Sequence, residues 1–178
     1  MGNVVPREQE QVPWGAAAVT VVGVCGWSGS GKTSLVERLV PLLRERGLVV
    51  GCVKHAHHGF TMDKPGSDSA RHFEAGAHRV AVVGGGEWAL RGRVDGLAKE
   101  AIPDWMQGCD LVLVEGFKSE PAWPKIEVKH DTPVVAANDP SLFALVGDSP
   151  DERAVPRFAW DDLDSLADLL QGTMTRRS

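Results

Sequence analysis

An α/β fold is predicted, with a mainly parallel sheet and helices on both faces. Three observations point to it. Apolar, β-branched runs that read as buried strands (Val19–Cys25, Leu48–Lys54, Leu111–Val114) alternate with stretches of helical period. The first run passes through a glycine-rich turn, Gly26–Thr33, directly into a helix. The chain has 178 residues, 43% hydrophobic and 24% charged, enough to bury the core of one globular domain.

Met1–Gly15 is polar and carries Pro6 and Pro13, so residues 1–15 read as a flexible tail and 16–178 as a single domain. From Thr33, the residues Leu35, Val36, Leu39, Val40, Leu42 and Leu43 recur at helical spacing to about Arg46, where Gly47 supplies a stop. Pro41 lies inside this helix and is expected to kink rather than end it. Leu48–Lys54 is a strand parallel to the first, reached by a right-handed crossover. His55–Gly66 is a polar loop, and Ser67–Ala75 is a helix stopped by Gly76.

Arg79–Val83 is a short strand ended by Gly84, Gly85 and Gly86. Val94–Met106 reads as a helix interrupted by Pro103. Leu111–Val114 is a buried strand that runs into Glu115-Gly116. Lys125–Lys129, Pro133–Ala137 and Phe143–Val146 read as further short strands. Asp161–Gln171 is an amphipathic helix, with Asp161 or Asp162 as its N-cap. No internal repeat is present.

A net charge of −5 argues against broad nucleic-acid or anionic-membrane binding. Three widely spaced cysteines, Cys25, Cys52 and Cys109, do not make a disulfide framework and suit a reducing cytoplasm. Neither an apolar signal core nor a run of membrane-spanning length is expected.

Gly26–Thr33 fits Gly-x-x-x-x-Gly-Lys-[Ser/Thr], the phosphate-binding loop, and this makes the predicted fold that of a P-loop NTPase. The chemistry is charge neutralisation. Gly26 opens the loop, Gly29 and Gly31 let main chain approach a polyphosphate, and successive N–H groups form a concave anion nest. Ser28 and Ser30 add hydroxyl donors, and Ser34 continues the run at the positive end of the helix. Lys32 is expected on the β- and γ-phosphates and the Thr33 hydroxyl on Mg²⁺.

A metal–triphosphate site needs a carboxylate. Glu115 ends an apolar strand where parallel strands meet the phosphate loop, so it is the expected metal acid; the plain alternative is a strand-end charge. Asp63 or Asp68 is a further candidate for the Mg²⁺ shell, and Lys64 for a phosphate. Cys52, His55, His57 and His58 invite a zinc reading but lack a second pair at ligand spacing. His57 or His58 is also a candidate base. In Asn138-Asp139-Pro140, a carboxylate able to accept from a guanine edge stands against an ordinary turn before proline. Arg91 and Arg93 read as solvated, with anion contact as the alternative.

These stretches together resemble the MobB family. Gly-Trp-Ser-Gly-Ser-Gly-Lys-Thr is followed by Val-Lys54-His-Ala-His-His58, then Asp63-Lys-Pro-Gly-Ser-Asp68-Ser, Glu74-Ala-Gly-Ala and Leu-Val-Glu115-Gly-Phe-Lys118. The likeness runs from about Val19 to Ala137. It implies a homodimeric adaptor of molybdopterin guanine dinucleotide biosynthesis that binds GTP with Mg²⁺ and hydrolyses it weakly. It also implies a MobA-type guanylyltransferase as partner, joining GMP to a molybdopterin cofactor intermediate. On this likeness Gly31, Lys32 and Thr33 are phosphate and Mg²⁺ contacts, and Glu115 is the acid of the second nucleotide motif. Two other readings share the same loop: a small-molecule kinase, and a non-catalytic module that nucleotide merely orders.

Overall fold

Thr20–Cys25 forms strand β1, buried along its whole length. Every residue after Thr20 is apolar or glycine, as a strand covered on both faces requires. The computed structural model describes residues 19–56, 58–94, 99–120, 122–129, 139–147 and 153–175. The expected tail and the expected strand Pro133–Ala137 lie outside the described residues.

The chain divides into two compact units. The larger is drawn from residues up to His55 and from Pro103 onward, and the smaller is Ala56–Ile102.

In the larger unit β1 leads through the glycine turn into helix α1, Lys32–Glu45. Strand β2 is Val50–Lys54, β5 is Leu111–Glu115, β6 is Lys125–Val128, β7 is Leu142–Val146 and β8 is Arg157–Phe158. They build one parallel sheet in the order β2-β5-β1-β6-β7-β8. β5 therefore separates β2 from β1, and its last residue, Glu115, has Val24 on one side and Lys54 on the other. Helix α4, Leu163–Thr175, follows β8. Its first turn is preceded by Asp162, whose carboxylate accepts from the Ser165 hydroxyl at 2.6 Å.

Leu35, Leu39 and Leu43 of α1 pack with Leu163, Leu166, Ala167 and Leu170 of α4 on one face of the sheet, over Val22, Val24, Leu111, Leu113, Ile126 and Val128. Each of the three α1 leucines is fully buried, worth about 1.5–3 kcal/mol apiece. That sum exceeds the cost of about 3 kcal/mol for an interior proline. The helix accordingly runs through Pro41, which sits on its exposed side. Arg46, just past the helix, ties the pair together through Asp168 at 2.7 Å and Asp164 at 3.2 Å.

On β5 the opposite face alternates with the first. Val112 and Val114 are fully buried there. On β6 the same face carries charge: Lys125 and Glu127 are each 1% exposed. Arg153 lies 3.2 Å from Glu127, and the Lys125 ammonium is 2.7 Å from Asp139. Cys25 adjoins this cluster. Burial, helped by the Glu127 charge, pushes its thiol up to about 12, so it is inert at neutral pH.

In the smaller unit, helix α2 is Asp68–Glu74, with Ser67 as N-cap accepting from the Ala70 N–H. Strands β3, Arg79–Gly84, and β4, Glu87–Gly92, form an antiparallel hairpin. β4 is absent from the sequence reading. Gly85 and Gly86 have φ of 61° and 83°, the two left-handed residues of a type I′ turn, and a Gly-Gly pair is a hairpin signal. The expected long helix Val94–Met106 is instead a single 3₁₀ turn, Lys99–Ala101, followed by α3, Ile102–Trp105; residues 95–98 lie outside the described residues.

Candidate functional site

The glycine turn is shaped by its surroundings. A Cβ on Gly26 would lie 2.5 Å from the Val128 carbonyl oxygen and 2.6 Å from Ser30 Oγ, at a φ of 142°. No other residue fits there. Trp27, Ser28 and Gly29 form an exposed tip, closed by a hydrogen bond from the Ser30 N–H to the Trp27 carbonyl at 3.2 Å. Gly31 caps α1 and backs onto the Trp160 ring, 3.0 Å from where a Cβ would stand.

No side chain caps the α1 N-terminus, and its first turn holds no acidic residue. The acid nearest this positive helix end comes from another element: Glu115, whose carboxylate lies 3.0 Å from the Thr33 hydroxyl in the first turn. Lys32 lies across the loop, its Nζ donating to the carbonyls of Gly26 at 3.1 Å and Trp27 at 2.6 Å. The Ser30 hydroxyl is buried and has no hydrogen-bond partner among the described residues.

Beside the loop, the Thr33 hydroxyl donates to Glu115 at 3.0 Å and 3.2 Å. Lys54 donates to the same carboxylate at 3.2 Å and 3.4 Å. Chain positions 33, 54 and 115 meet because α1 starts at the end of β1 and β5 is paired on both sides. A hydroxyl beside a carboxylate is a hard-oxygen pair suited to Mg²⁺. No group of three His, Cys, Asp or Glu residues able to hold a metal occurs among the described residues. Mg²⁺ takes one or two protein ligands plus water and phosphate oxygens. The orphaned Ser30 hydroxyl, the cradle around Gly26 and the Thr33–Glu115 pair together fit a metal-bound polyphosphate.

A second feature escapes sequence reasoning. The loops after β2 and β5 are locked together by aromatic contacts. The His55 N–H donates to the Glu115 carbonyl at 2.9 Å, and the Gly116 N–H to the Val24 carbonyl at 3.1 Å. His55 and Phe117 stack with ring centroids 4.1 Å apart, and Trp123 meets Phe117 edge-on at 5.7 Å. Phe117 holds a φ of 48°, strained for a non-glycine residue. Lys118 follows, its ammonium 5.5 Å from the Trp27 ring at the loop tip. The Glu-Gly-Phe-Lys stretch stands out in the sequence, but the stack on His55 depends on a strand pairing that the sequence does not display.

Asp139 sits in a turn, one of the two readings its sequence offers. It lies at the entry to β7, whereas the phosphate loop lies at the exit of β1, and the strands are parallel. Both of its oxygens are engaged: Lys125 and Ser141 donate to them at 2.7 Å, 2.9 Å and 2.5 Å. The Leu142 N–H donates to its carbonyl at 3.0 Å, closing the turn through Pro140. The turn reading therefore describes Asp139, and its position at the far end of the strands does not suit a guanine contact. Asn138 lies outside the described residues.

The smaller unit holds the other candidates. Asp68 begins α2, with its exposed carboxylate 3.6 Å from Arg71. Asp63 accepts from Ser69 at 2.9 Å and Ser67 at 3.3 Å, which orders the start of that helix. Arg91 and Arg93 both stack on Phe73, at 3.9 Å and 4.2 Å, and Arg93 also donates to the Phe73 carbonyl. His58 is exposed, and His57 lies outside the described residues.

Comparison with known proteins gives the family. A family model described as molybdopterin guanine dinucleotide synthesis protein B matches residues 21–148. The molybdopterin-guanine dinucleotide biosynthesis adapter protein of Escherichia coli is 32% identical over 173 residues, covering 92% of this chain and 98% of its own. The Haemophilus influenzae protein of the same description is 42% identical over 114 residues, covering 61% of this chain and 62% of its own. The crystal structure of Bacillus subtilis MobB superposes with a TM-score of 0.69 at 30% identity, covering 86% of this chain and 96% of that one. With the family model spanning the phosphate loop, β5 and β7, and the likeness extending over nearly all of the Escherichia coli chain, this protein belongs to the MobB family.

Proposed function

We propose that this protein is an adapter in molybdopterin guanine dinucleotide biosynthesis that binds GTP with Mg²⁺ and hydrolyses it slowly. The observation that carries the nucleotide reading is the Thr33–Glu115 pair, 3.0 Å apart at the mouth of a glycine loop. In this reading the main-chain N–H groups from Gly26 through Ser34, with the hydroxyls of Ser28 and Ser30, take the phosphates. Lys32 neutralises the β- and γ-phosphates, and Thr33 and Glu115 hold the metal. Mg²⁺, when bound, supplies charge stabilisation to the phosphoryl oxygens.

Slow turnover is supported by the surroundings of the pair. Among the described residues, no glutamine or arginine is hydrogen-bonded to Thr33 or Glu115. A second subunit or a partner could supply a water-orienting group or an arginine finger. Such a partner is a MobA-type guanylyltransferase, working on a molybdopterin intermediate. A kinase reading has less support, because the arginines it would use as a lid grip Phe73.

The homodimer rests on the β3–β4 hairpin. Val82, Val83, Trp88 and Leu90 are 50%, 80%, 70% and 47% exposed. A two-stranded ribbon is marginal alone, and a second copy of the chain is proposed to cover it. Among the described residues no helix is long and apolar enough to cross a membrane, and all three cysteines are free, which supports a cytoplasmic setting.

Titration calorimetry tests the nucleotide reading. GTP is expected to bind only weakly without Mg²⁺ and more tightly with it, and ahead of ATP. No binding, or a clear preference for ATP, would overturn it.

A further inference from the structure

Lys54 is the last residue of β2, and the β2–β5 register sets it directly opposite Glu115. Its ammonium and the Thr33 hydroxyl both lie within 3.2 Å of the same carboxylate oxygen, Oε1. The two partners differ in freedom. The Glu115 side chain is 16% exposed, whereas that of Lys54 is 65% exposed. The acid is fixed and the cation has room to swing. The main chain beneath Lys54 is held, since the next residue, His55, bonds to the Glu115 carbonyl and stacks on Phe117. Only the lysine stem is left to move.

A divalent cation on that oxygen pair would meet an ammonium at contact distance. Like charges so close repel, and the exposed lysine is the group that can leave. Once displaced, its charge needs an anion within reach of the same corner. On the proposed nucleotide reading, the terminal phosphate lies beside Lys32 and Thr33 and meets that need.

Resting on that reading, we infer that Lys54 competes with the divalent metal for Glu115 and, when the metal takes the carboxylate, turns to the terminal phosphate of the nucleotide. The residue thereby links metal arrival to recognition of a triphosphate over a diphosphate. Lys118 has no such link, because its ammonium rests on the Trp27 ring and not on the acid.

The test has two arms on the full chain, using wild type, Lys54→Met and Lys54→Arg. In the first, Mn²⁺ is titrated without nucleotide and free ion is read by electron spin resonance. Lys54→Met is expected to bind Mn²⁺ several-fold tighter than wild type, since the competitor is gone, and Lys54→Arg to stay near wild type. Unchanged or weaker Mn²⁺ binding by Lys54→Met overturns the competition. In the second arm, GTP and GDP affinities are compared in Mg²⁺. Lys54→Met is expected to lose about tenfold of the preference for GTP, the size of one charged hydrogen bond. An unchanged preference overturns the phosphate contact. Wild type that binds no GTP fails the proposed function and the phosphate contact together, while the Mn²⁺ arm still decides the competition. Matching thermal melts for the three proteins exclude a folding defect.

Discussion

Replacing Lys32 by alanine is expected to lower GTP affinity and turnover in Mg²⁺ by about 10²–10³-fold, the effect of removing one preorganised donor from developing charge. The fold should not notice. Among the described residues Lys32 Nζ donates to the carbonyls of Gly26 and Trp27, in a loop whose shape is set by Gly26 against Val128 and by Gly31 against Trp160. The change removes a point charge from a nest of N–H groups and leaves the nest standing. Lys32→Arg should rescue little, because the planar guanidinium does not fit where a compact ammonium sits. Calorimetry and phosphate release measure the loss, and an unchanged melting temperature shows that it is local. A variant that binds GTP as well as wild type would remove Lys32 from the site.

The second large effect is on stability. Asp139→Ala is expected to cost about 3–5 kcal/mol, the usual penalty for stranding one partner of a buried ion pair. Lys125 is 1% exposed, and its ammonium is satisfied by Asp139, the Ser141 hydroxyl and the Glu120 carbonyl. Removing the carboxylate leaves a buried charge with neutral partners only. Lys125→Met should cost less, since it removes the charge itself and fills the space with an apolar chain of similar length.

The pair also makes stability depend on acid. Burial works against the Asp139 charge, but the hydrogen bonds from Lys125 and Ser141 outweigh it and hold the carboxyl below its ordinary range. A depressed native value means that the stabilisation is complete above the unfolded-state value of about 4 and is lost as pH falls through the native one. Urea melts of wild type and Asp139→Asn should therefore differ at pH 7 and converge in acid. A gap that persists or widens in acid would contradict the assignment.

How much of this is visible in the chain alone follows from how local each signal is. The phosphate loop is local: glycines, lysine and threonine lie within eight residues, between an apolar run and a helical period, and β1 and α1 form where expected. Glu115 is nearly as plain, since an unbroken apolar run places its last residue at the exit of a buried strand. Asp139 stays open between two readings in the sequence for the opposite reason. Whether a loop serves the entry or the exit of the sheet depends on which neighbouring segment is the strand, and Leu142–Val146 begins only after it. The role of Lys54 is hidden because β2 pairs with β5, 61 positions away in sequence, not with β1. β8 is two residues long and has no period to detect. The missed β4 did leave a mark, Gly85-Gly86, but the run after it mixes Trp88 and Leu90 with charge and never buries a face in its own unit.

A crystal structure with a non-hydrolysable GTP analogue and Mg²⁺ bears most directly on the central claim. The analogue's phosphates should lie in the turn from Gly26 to Thr33, with the metal bound by the Thr33 hydroxyl and reached by Glu115 directly or through one water. An analogue bound elsewhere, or a metal whose shell includes neither Thr33 nor Glu115, would contradict it.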